Sequence, residues 1–434
     1  MSHSEKNWKT GPGYHSVQTI QLPPYDKISL SNGLPVYLLN QGSQDIIKFD
    51  LVFRGGRLLE EKKLVSKFTA TLLREGTLTK KPAEVANYFD YHGAVLRVAS
   101  NLDFVYMSLS CLSKHFEKVI HLLAEVLYEP LFSEEELEKL KRNTIQKLFQ
   151  DLSKNDLISY RVFTEAVFGV DHPYGYNSTE EAITAITRDD LVQFHKDHLG
   201  HKNAFIVVSG KFDGPAVAST VEKLFGNTLP ESTLPVYSPP VSIQQPAGLT
   251  VYTNNEYQAS IKIGRKLFNR QHPDYAAFFF MNTLFGGYFG SRLMSSIREK
   301  HGYTYNVYSV FDHLIYDGYF YIGTDVALEY VDATMSEINK QIKTLCSRKA
   351  PSKEIEMVRS YLTGNFLNLI DGPLNSGSLI KSLAMDFTLD GYFEDFLEKL
   401  KTVSAKDVQE MAQKYLGQED LITTIVTHQS PAMV

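Results

Sequence analysis

Three histidines in the segment HKDHLGH are the side chains whose type and spacing first suggest metal chemistry: His195, His198 and His201. His195 and His198 stand three positions apart, so they share one face of a predicted helix, and His201 follows the Gly200 that ends it. Imidazole is a common zinc ligand, but no carboxylate has a fixed place beside these three to orient them. Protonated histidines at a helix C-terminus also suit the helix dipole, so we predict no metal site at these three histidines.

Composition and charge exclude several classes of protein. The chain has 434 residues, a net charge of −6 at pH 7 and two cysteines, Cys111 and Cys346, that lie far apart. An acidic balance gives no footprint for nucleic acid, and two distant cysteines argue against a disulfide scaffold or a cysteine zinc site. The polar first residues lack the apolar stretch of a signal peptide, and the longest apolar run, Tyr275–Phe285, is too short to cross a bilayer. We therefore expect a cytoplasmic protein that binds neither nucleic acid nor membrane.

The elements that must position any site come in two similar sets. The pattern ITRDDLVQFHKDHLG, from Ile186, recurs as VSAKDVQEMAQKYLG, from Val403. Each copy has a candidate helix N-cap, Thr187 or Ser404, an acid in the first turn and a closing Leu-Gly, and a β-rich strand follows. The segments FSEEELEKLKRN and APSKEIEMVRSY repeat at nearly the same offset. The sequence therefore predicts a tandem duplication.

A proline-rich segment separates the two copies. Residues 227–247 hold Pro230, Pro235, Pro239, Pro240 and Pro246, which favour an extended linker over helix or internal strand. We therefore predict an N-terminal domain over residues 1–226 and a C-terminal domain over residues 248–434. The first half also shows hairpin-like strands interleaved with helices, and these patterns predict an α+β fold in which helices cover antiparallel-rich sheets. The predicted strands are Val36–Leu39, Ile46–Phe53, Ala94–Ala99, Tyr106–Cys111 and Ala204–Val208.

The segment HPDYAAFFFMNTLFGGYFGSRLMSSIREKHGYTYNVYS, residues 272–309, resembles the signature of the insulinase-like, or pitrilysin, zinc peptidase family. It contains the pair Gly286-Gly287 and the triplet SRL, followed by REK and Tyr305. In the first half, FRGGRLLEE, REGTLTKKPAEVANYFDYHGAVLRV and AVFGVDHPYGYNSTEEAITAIT follow in the family's order. The resemblance covers about residues 27–430, which makes it more specific than any single motif.

The resemblance places the helical run VSKFTATLLREGT, residues 65–77, where the family carries its zinc motif H-x-x-E-H. With the closing Gly-Thr in register, Lys67 and Thr71 take the two histidine positions and Ala70 takes that of the base glutamate. Two histidines four apart can share one zinc ion while the glutamate deprotonates its bound water, but lysine, threonine and alanine can do neither. The window for the third ligand, residues 139–150, contains no acid. We therefore expect this chain to bind no zinc or other cofactor, and the helix to serve as scaffold.

The resemblance also implies two groups that contact substrate in the second half. The family places an arginine, and a tyrosine seven residues later, across the chamber from the zinc, and Arg298 and Tyr305 keep that spacing. An arginine can hold a peptide carbonyl or carboxylate, and a tyrosine hydroxyl can donate to a developing oxyanion. Gly286 and Gly287 correspond to the family's glycine-rich substrate loop, although they equally suit a simple turn between helices. Without the resemblance, Arg298 would be interpreted as a charged surface residue and Tyr305 as an aromatic residue of a strand.

These features together lead us to expect a non-catalytic subunit of a heteromeric zinc metalloendopeptidase that degrades or processes unfolded peptides. The resemblance implies a homologous, zinc-bearing partner subunit, to whose site this chain lends Arg298 and Tyr305. On its own the chain would be an inactive peptidase homologue, and the isolated chain could form a homodimer. Two alternatives stay open: a purely structural core subunit of a larger assembly, and a stand-alone peptide-binding module.

Overall fold

The computed structural model describes residues 19–227, 229–232 and 248–428, so the predicted proline-rich linker lies mostly outside the described residues. Within those ranges, no helix combines the length and apolar character needed to span a membrane. The strands are β1 (Asp26–Ser29), β2 (Pro35–Asn40), β3 (Ile46–Arg54), β4 (Val95–Ser100), β5 (Phe104–Leu112), β6 (Ala204–Gly210), β7 (Gly248–Thr253), β8 (Gln258–Leu267), β9 (Val307–His313), β10 (Gly318–Ala327) and β11 (Ile422–His428).

Helices connect and cover these strands. The α-helices are α1 (Val65–Leu72), α2 (Pro82–Tyr91), α3 (Phe116–Tyr128), α4 (Glu134–Asp151), α5 (Asn155–Phe168), α6 (Glu180–Thr184), α7 (Arg188–His198), α8 (Gly214–Val221), α9 (Tyr275–Asn282), α10 (Val331–Ser347), α11 (Ser352–Leu369), α12 (Gly372–Met385), α13 (Tyr392–Thr402) and α14 (Ala405–Tyr415). Three further segments are π-helical: Glu222–Gly226, Thr283–Gly287 and Met294–Lys300.

The two sheets share one topology. The first has the order β1-β2-β6-β3-β5-β4 and the second the order β7-β11-β8-β10-β9. The pairs β2–β6 and β7–β11 are parallel, and the other pairs are antiparallel. The second order therefore repeats the first once β1 is set aside. This confirms the predicted α+β fold of two related units with antiparallel-rich sheets.

The repeated helix before each parallel strand begins in the predicted way. At the start of α7, the Thr187 hydroxyl accepts a hydrogen bond from the Asp190 backbone N–H at 3.3 Å, and the Asp190 carboxylate accepts from the Thr187 N–H at 2.7 Å. Ser404 and Asp407 make the same reciprocal pair at the start of α14, at 3.3 Å and 2.8 Å. The two predicted N-caps are confirmed, and both helices begin with a capping box.

Each half lends one helix to the sheet of the other half. Helix α5 packs on β8 and β11 of the second sheet, and α12 packs on β2, β3 and β6 of the first. The two helices hold equivalent places, because α5 follows α4 and α12 follows α11, the pair already predicted to be copies. The packing units therefore cross the boundary between the two halves of the sequence.

Each contact between one of these helices and the sheet of the other half contains a buried charged side chain. On β3, the 1% exposed Asp50 lies 2.9 Å from the ammonium of Lys381 on α12 and 3.3 Å from that of Lys48. On β8, the 1% exposed Lys262 lies 2.5 Å from the carboxylate of Asp156 on α5. An unpaired charge at such depth is costly, so each exchanged helix supplies a counter-charge that the opposite sheet requires.

Candidate functional site

Helix α1 occupies the place expected for the zinc helix but ends earlier than the sequence pattern indicated. It ends at Leu72, and Gly76 adopts φ +98° in the turn that follows. The helix starts without a conventional cap, since Leu64 has φ 74°; instead the N–H groups of Leu64 and Ser66 donate to the Glu60 carboxylate, both at 3.0 Å. Burial raises the pKa of Glu60, although hydrogen bonds from Ser66 and Tyr176 oppose that shift.

The three positions that the resemblance aligns with the zinc motif carry no usual zinc ligand. Lys67 is exposed, Thr71 is half-buried and Ala70 is fully buried in the first core. The Thr71 hydroxyl donates to the Lys67 carbonyl oxygen at 2.8 Å, so it is occupied by the helix backbone. None of these side chains can replace an imidazole or a general-base carboxylate.

Helix α4 contains the segment that the resemblance aligns with the third ligand, and it packs against α1. That part of α4 carries Lys147, whose ammonium pairs with Asp151 at 3.3 Å. Partial desolvation of the ammonium by the surrounding protein lowers the pKa of Lys67, and repulsion from Arg57 and Lys147 lowers it further, against the attraction of Asp151. A cationic position does not fit a zinc ion. Among the described residues, no group of three or more histidine, cysteine or acidic side chains could hold a metal.

The second half brings Arg298 and Tyr305 to one open groove of about 590 Å³. The Tyr305 side chain is 95% exposed, so its hydroxyl is free to meet a ligand. The Arg298 guanidinium lies 4.6 Å from the centre of the Phe289 ring, a cation–π contact that fixes its direction. The groove also contains residues that sequence reasoning missed, because their spacing gave no signal: Gln258, Asp325, Ala327 and Tyr330.

A buried carboxylate holds the segment that carries Arg298. Arg298 lies in the π-helical segment Met294–Lys300, where Ser296 donates to Glu337 of α10. Glu337 also accepts from Lys340 and Gln341, each at 2.8 Å. Burial acts to raise the pKa of Glu337, but these hydrogen bonds outweigh it and lower the pKa to about 2. Glu337 is therefore ionised at neutral pH and ties the segment to α10.

The two glycines of the pair differ in their surroundings, because Gly286 is buried and Gly287 is exposed. A Cβ atom on Gly286 would lie 2.5 Å from the Ser309 hydroxyl oxygen on β9, so this position has no room for a side chain. Gly287 is exposed, and a Cβ there would lie 3.2 Å from the Asn282 carbonyl oxygen. Both glycines end the π-helical segment Thr283–Gly287, a helix type that often marks functional sites. Close packing accounts for Gly286, and the substrate role of the pair stays a prediction.

The three histidines of HKDHLGH turn to different partners. His195 Nε2 lies 2.6 Å from the Leu127 carbonyl oxygen, whereas His201 Nδ1 lies 3.0 Å from that of Pro230. Burial lowers the pKa of both His195 and His198, which opposes the protonation that the helix dipole would favour. In the described part of the chain these side chains form no metal cluster.

The two α+β units have the duplicated architecture that the resemblance implies, and Lys67, Ala70 and Thr71 stand at the positions that it aligns with the zinc motif. Residues 36–168 match the family model for insulinase, peptidase family M16, and residues 185–362 match that for the peptidase M16 inactive domain. The chain belongs to peptidase family M16, the insulinase family.

Relatives and solved structures extend over nearly the whole chain. An "Uncharacterized zinc protease" of Rickettsia felis is 22% identical over 401 residues, which is 89% of this chain and 93% of the relative. The "Non-peptidase homolog YmxG" of Helicobacter pylori is 24% identical, over 87% of this chain and 88% of its own. The names of these two relatives thus differ on peptidase activity.

Two solved structures agree with the fold. The M16 inactive domain from Pseudomonas fluorescens has a TM-score of 0.83 at 21% identity, over 94% of this chain and 98% of its own. A Helicobacter pylori protease has a TM-score of 0.85 at 18% identity, over 94% of this chain and 100% of its own. At these identities the structures establish the fold alone.

Proposed function

We propose that this chain is the non-catalytic, substrate-binding subunit of a heteromeric zinc metallopeptidase that acts on unfolded peptides. The observation that carries the proposal is the contrast between the two halves. The second half keeps Arg298 and Tyr305 together in an open groove, whereas the first half has Lys67 and Thr71 at the zinc-ligand positions. A homologous partner subunit would supply the zinc and the hydrolytic step.

In this proposal Arg298 and Tyr305 position the substrate. The guanidinium, already directed by Phe289, donates charge-assisted hydrogen bonds to a peptide carbonyl or carboxylate. The exposed Tyr305 hydroxyl donates to the carbonyl oxygen on which negative charge develops. Neither group needs to lose a proton to do this, so both can serve a reaction whose nucleophile comes from another chain.

The outer edge of β4 can bind an extended peptide. This strand ends the order of the first sheet, and the Asn101 N–H donates to the Phe104 carbonyl at 2.8 Å in the turn that follows. In antiparallel pairing that bond directs the backbone groups of Leu96, Val98 and Ser100 away from β5. A peptide can pair with these groups as an added strand.

The test is hydrolysis of a mixed peptide pool by this chain alone, and by this chain with a homologous chain that carries H-x-x-E-H. We expect cleavage only in the mixture, and about a hundredfold loss of kcat/KM with Arg298→Ala or Tyr305→Phe. Arg348→Ala and Tyr252→Phe change an exposed arginine and an exposed tyrosine of the same half outside the groove, and should leave the rate unchanged.

The alternatives give different results in the same experiment. Cleavage by this chain alone would overturn the non-catalytic assignment. A structural core subunit would be favoured by two results together. Arg298→Ala would leave cleavage in the mixture as fast as with the wild-type chain, and the larger assembly would fail to form when this chain is omitted. A chain of Complex III2 from Candida albicans has a TM-score of 0.75 to this one at 15% identity, over 93% of this chain and 95% of its own. Peptide binding without any cleavage would favour a stand-alone binding module.

A further inference from the structure

We propose that the former zinc position binds a carboxylate group of the peptide, with protein cations in place of the metal ion. This inference rests on the proposed function, because it assigns a ligand to a second part of the same peptide path. The site is made by Lys67 of α1, Lys147 of α4, Arg57 before α1 and Arg161 of α5.

The four side chains bring excess positive charge to one place. Helix α1 packs against α4 and against the turn Arg57–Leu59, so Lys67 lies near the elements that carry Lys147 and Arg57. Arg57 and Lys147 both interact electrostatically with Lys67, and Arg57 also interacts with Arg161. The acids that face this group are Asp151, which acts on both Lys67 and Arg161, Glu165, which acts on Arg161, and Glu60, which interacts with Arg57. Asp151 is shared, since it pairs with Lys147 at 3.3 Å and with Lys154 at 3.7 Å. The cations therefore outnumber the acids that neutralise them.

Two of the cations are held in place and one is free to bind. Arg57 donates to the Tyr176 carbonyl at 3.0 Å and lies 4.3 Å from the centre of its ring. Arg161 donates to the Ser178 carbonyl at 2.7 Å. The Lys67 ammonium makes no hydrogen bond or ion pair within the described part of the chain, and the residue is exposed. A fixed positive field around a free ammonium favours an anion and repels a divalent cation.

The peptide path leads past this site. Helix α1 packs against β4, and the Ser100 hydroxyl at the end of that strand donates to the Ser66 hydroxyl at 2.9 Å. Lys67 follows Ser66 directly, so a peptide added to the β4 edge would lie close to the helical turn that carries Lys67. The anion that an unmodified peptide carries is a carboxylate, either at its C-terminus or on an acidic side chain.

The test compares three forms of one labelled, unstructured peptide by fluorescence anisotropy with the full chain. One form has no acidic group and an amidated C-terminus, the second has a free C-terminus, and the third is amidated with a single glutamate. We expect at least one acidic form to bind about tenfold more tightly than the neutral form, and the preference to weaken as salt rises.

Lys67→Met and Lys147→Met should each reduce this preference severalfold and leave binding of the neutral form unchanged. Lys139→Met is the matched control on α4, because Lys139 pairs with Glu136 at 3.1 Å. Equal binding of all three forms to the wild-type chain would overturn the carboxylate site but leave the proposed function standing. No binding of any form would overturn both. The acidic form that binds more tightly identifies the source of the carboxylate.

Discussion

At the scale of the residue, Glu337 anchors the segment that carries Arg298. It lies on α10 and accepts hydrogen bonds from Ser296, Lys340 and Gln341, whereas Arg298 belongs to the same π-helical segment as Ser296. Its ionised form is thus part of the folded structure. A loss of this charge should loosen the groove as well as destabilise the fold.

The pH dependence of stability should show this. In the folded chain the pKa of Glu337 is lowered from 4.5 to about 2, so its stabilisation is present above about pH 4.5 and is lost as the pH falls toward 2. We expect Glu337→Gln to lower the free energy of unfolding by about 2 kcal/mol at pH 7, with a smaller effect near pH 3. Urea unfolding at both pH values measures this.

Glu356→Gln is the control for that experiment, since the Glu356 side chain is 75% exposed and lies 3.7 Å from Arg359. An exposed pair of this kind contributes little, so we expect no measurable change. If Glu337→Gln were no more destabilising than Glu356→Gln at pH 7, the anchoring role of Glu337 would be wrong.

At the scale of the element, the packing of α1 against α4 determines which ligand can bind between them. The resemblance aligned both helices with the ligand-bearing segments of the family, and the structure packs them against each other. The positive charge of Lys147 should therefore repel a metal ion even in a variant that carries histidines on α1. The charges that this helix pair brings together thus favour an anion over a metal ion.

Stepwise introduction of zinc ligands on α1 and α4 tests whether these positions lie opposite each other. We expect Lys67→His/Thr71→His to bind zinc only weakly, and the addition of Lys147→Glu to tighten binding about tenfold or more, because it removes a positive charge and adds an oxygen ligand. Isothermal titration calorimetry with zinc measures both. The matched control adds Lys139→Glu to the same double variant; if it tightened binding as much as Lys147→Glu, the proposed register of α4 would fail.

At the scale of the whole molecule, the exchange of α5 and α12 joins the two halves into one cooperative unit. The buried Asp50 of the first sheet depends on Lys381 from the second half, at 2.9 Å. Lys381→Met should lower the free energy of unfolding by about 3 kcal/mol, because it leaves a buried carboxylate with only Lys48 as a partner. Adding Asp50→Leu to that variant should restore most of the loss.

Thermal unfolding of these variants is the measurement, with Lys406→Met as the control, since the Lys406 side chain is 70% exposed. We expect the control to unfold like the wild-type chain. A Lys381→Met variant with the same midpoint as the control would mean that the exchanged helix does not depend on this ion pair.

The sequence by itself determined the local features of the fold. Runs of strand-favouring residues predicted strands that the structure places at β2 to β6, and the Thr187 and Ser404 caps lie where they were predicted. Such features depend on residues a few positions apart, so they can be inferred from spacing. The identities at Lys67, Ala70 and Thr71 likewise needed only the resemblance, because a missing ligand type is a property of the residue.

Only the tertiary structure decided which distant residues meet. The exchange of α5 and α12, the grouping of Lys67 with Lys147 and Arg57, and the groove that adds Gln258 and Asp325 to Arg298 all join residues far apart in the chain. No local pattern encodes these contacts, because they depend on which sheet face each helix covers. The physical reason is burial: Asp50 and Lys262 each require a counter-charge, and only the packed chain shows that the opposite half supplies it.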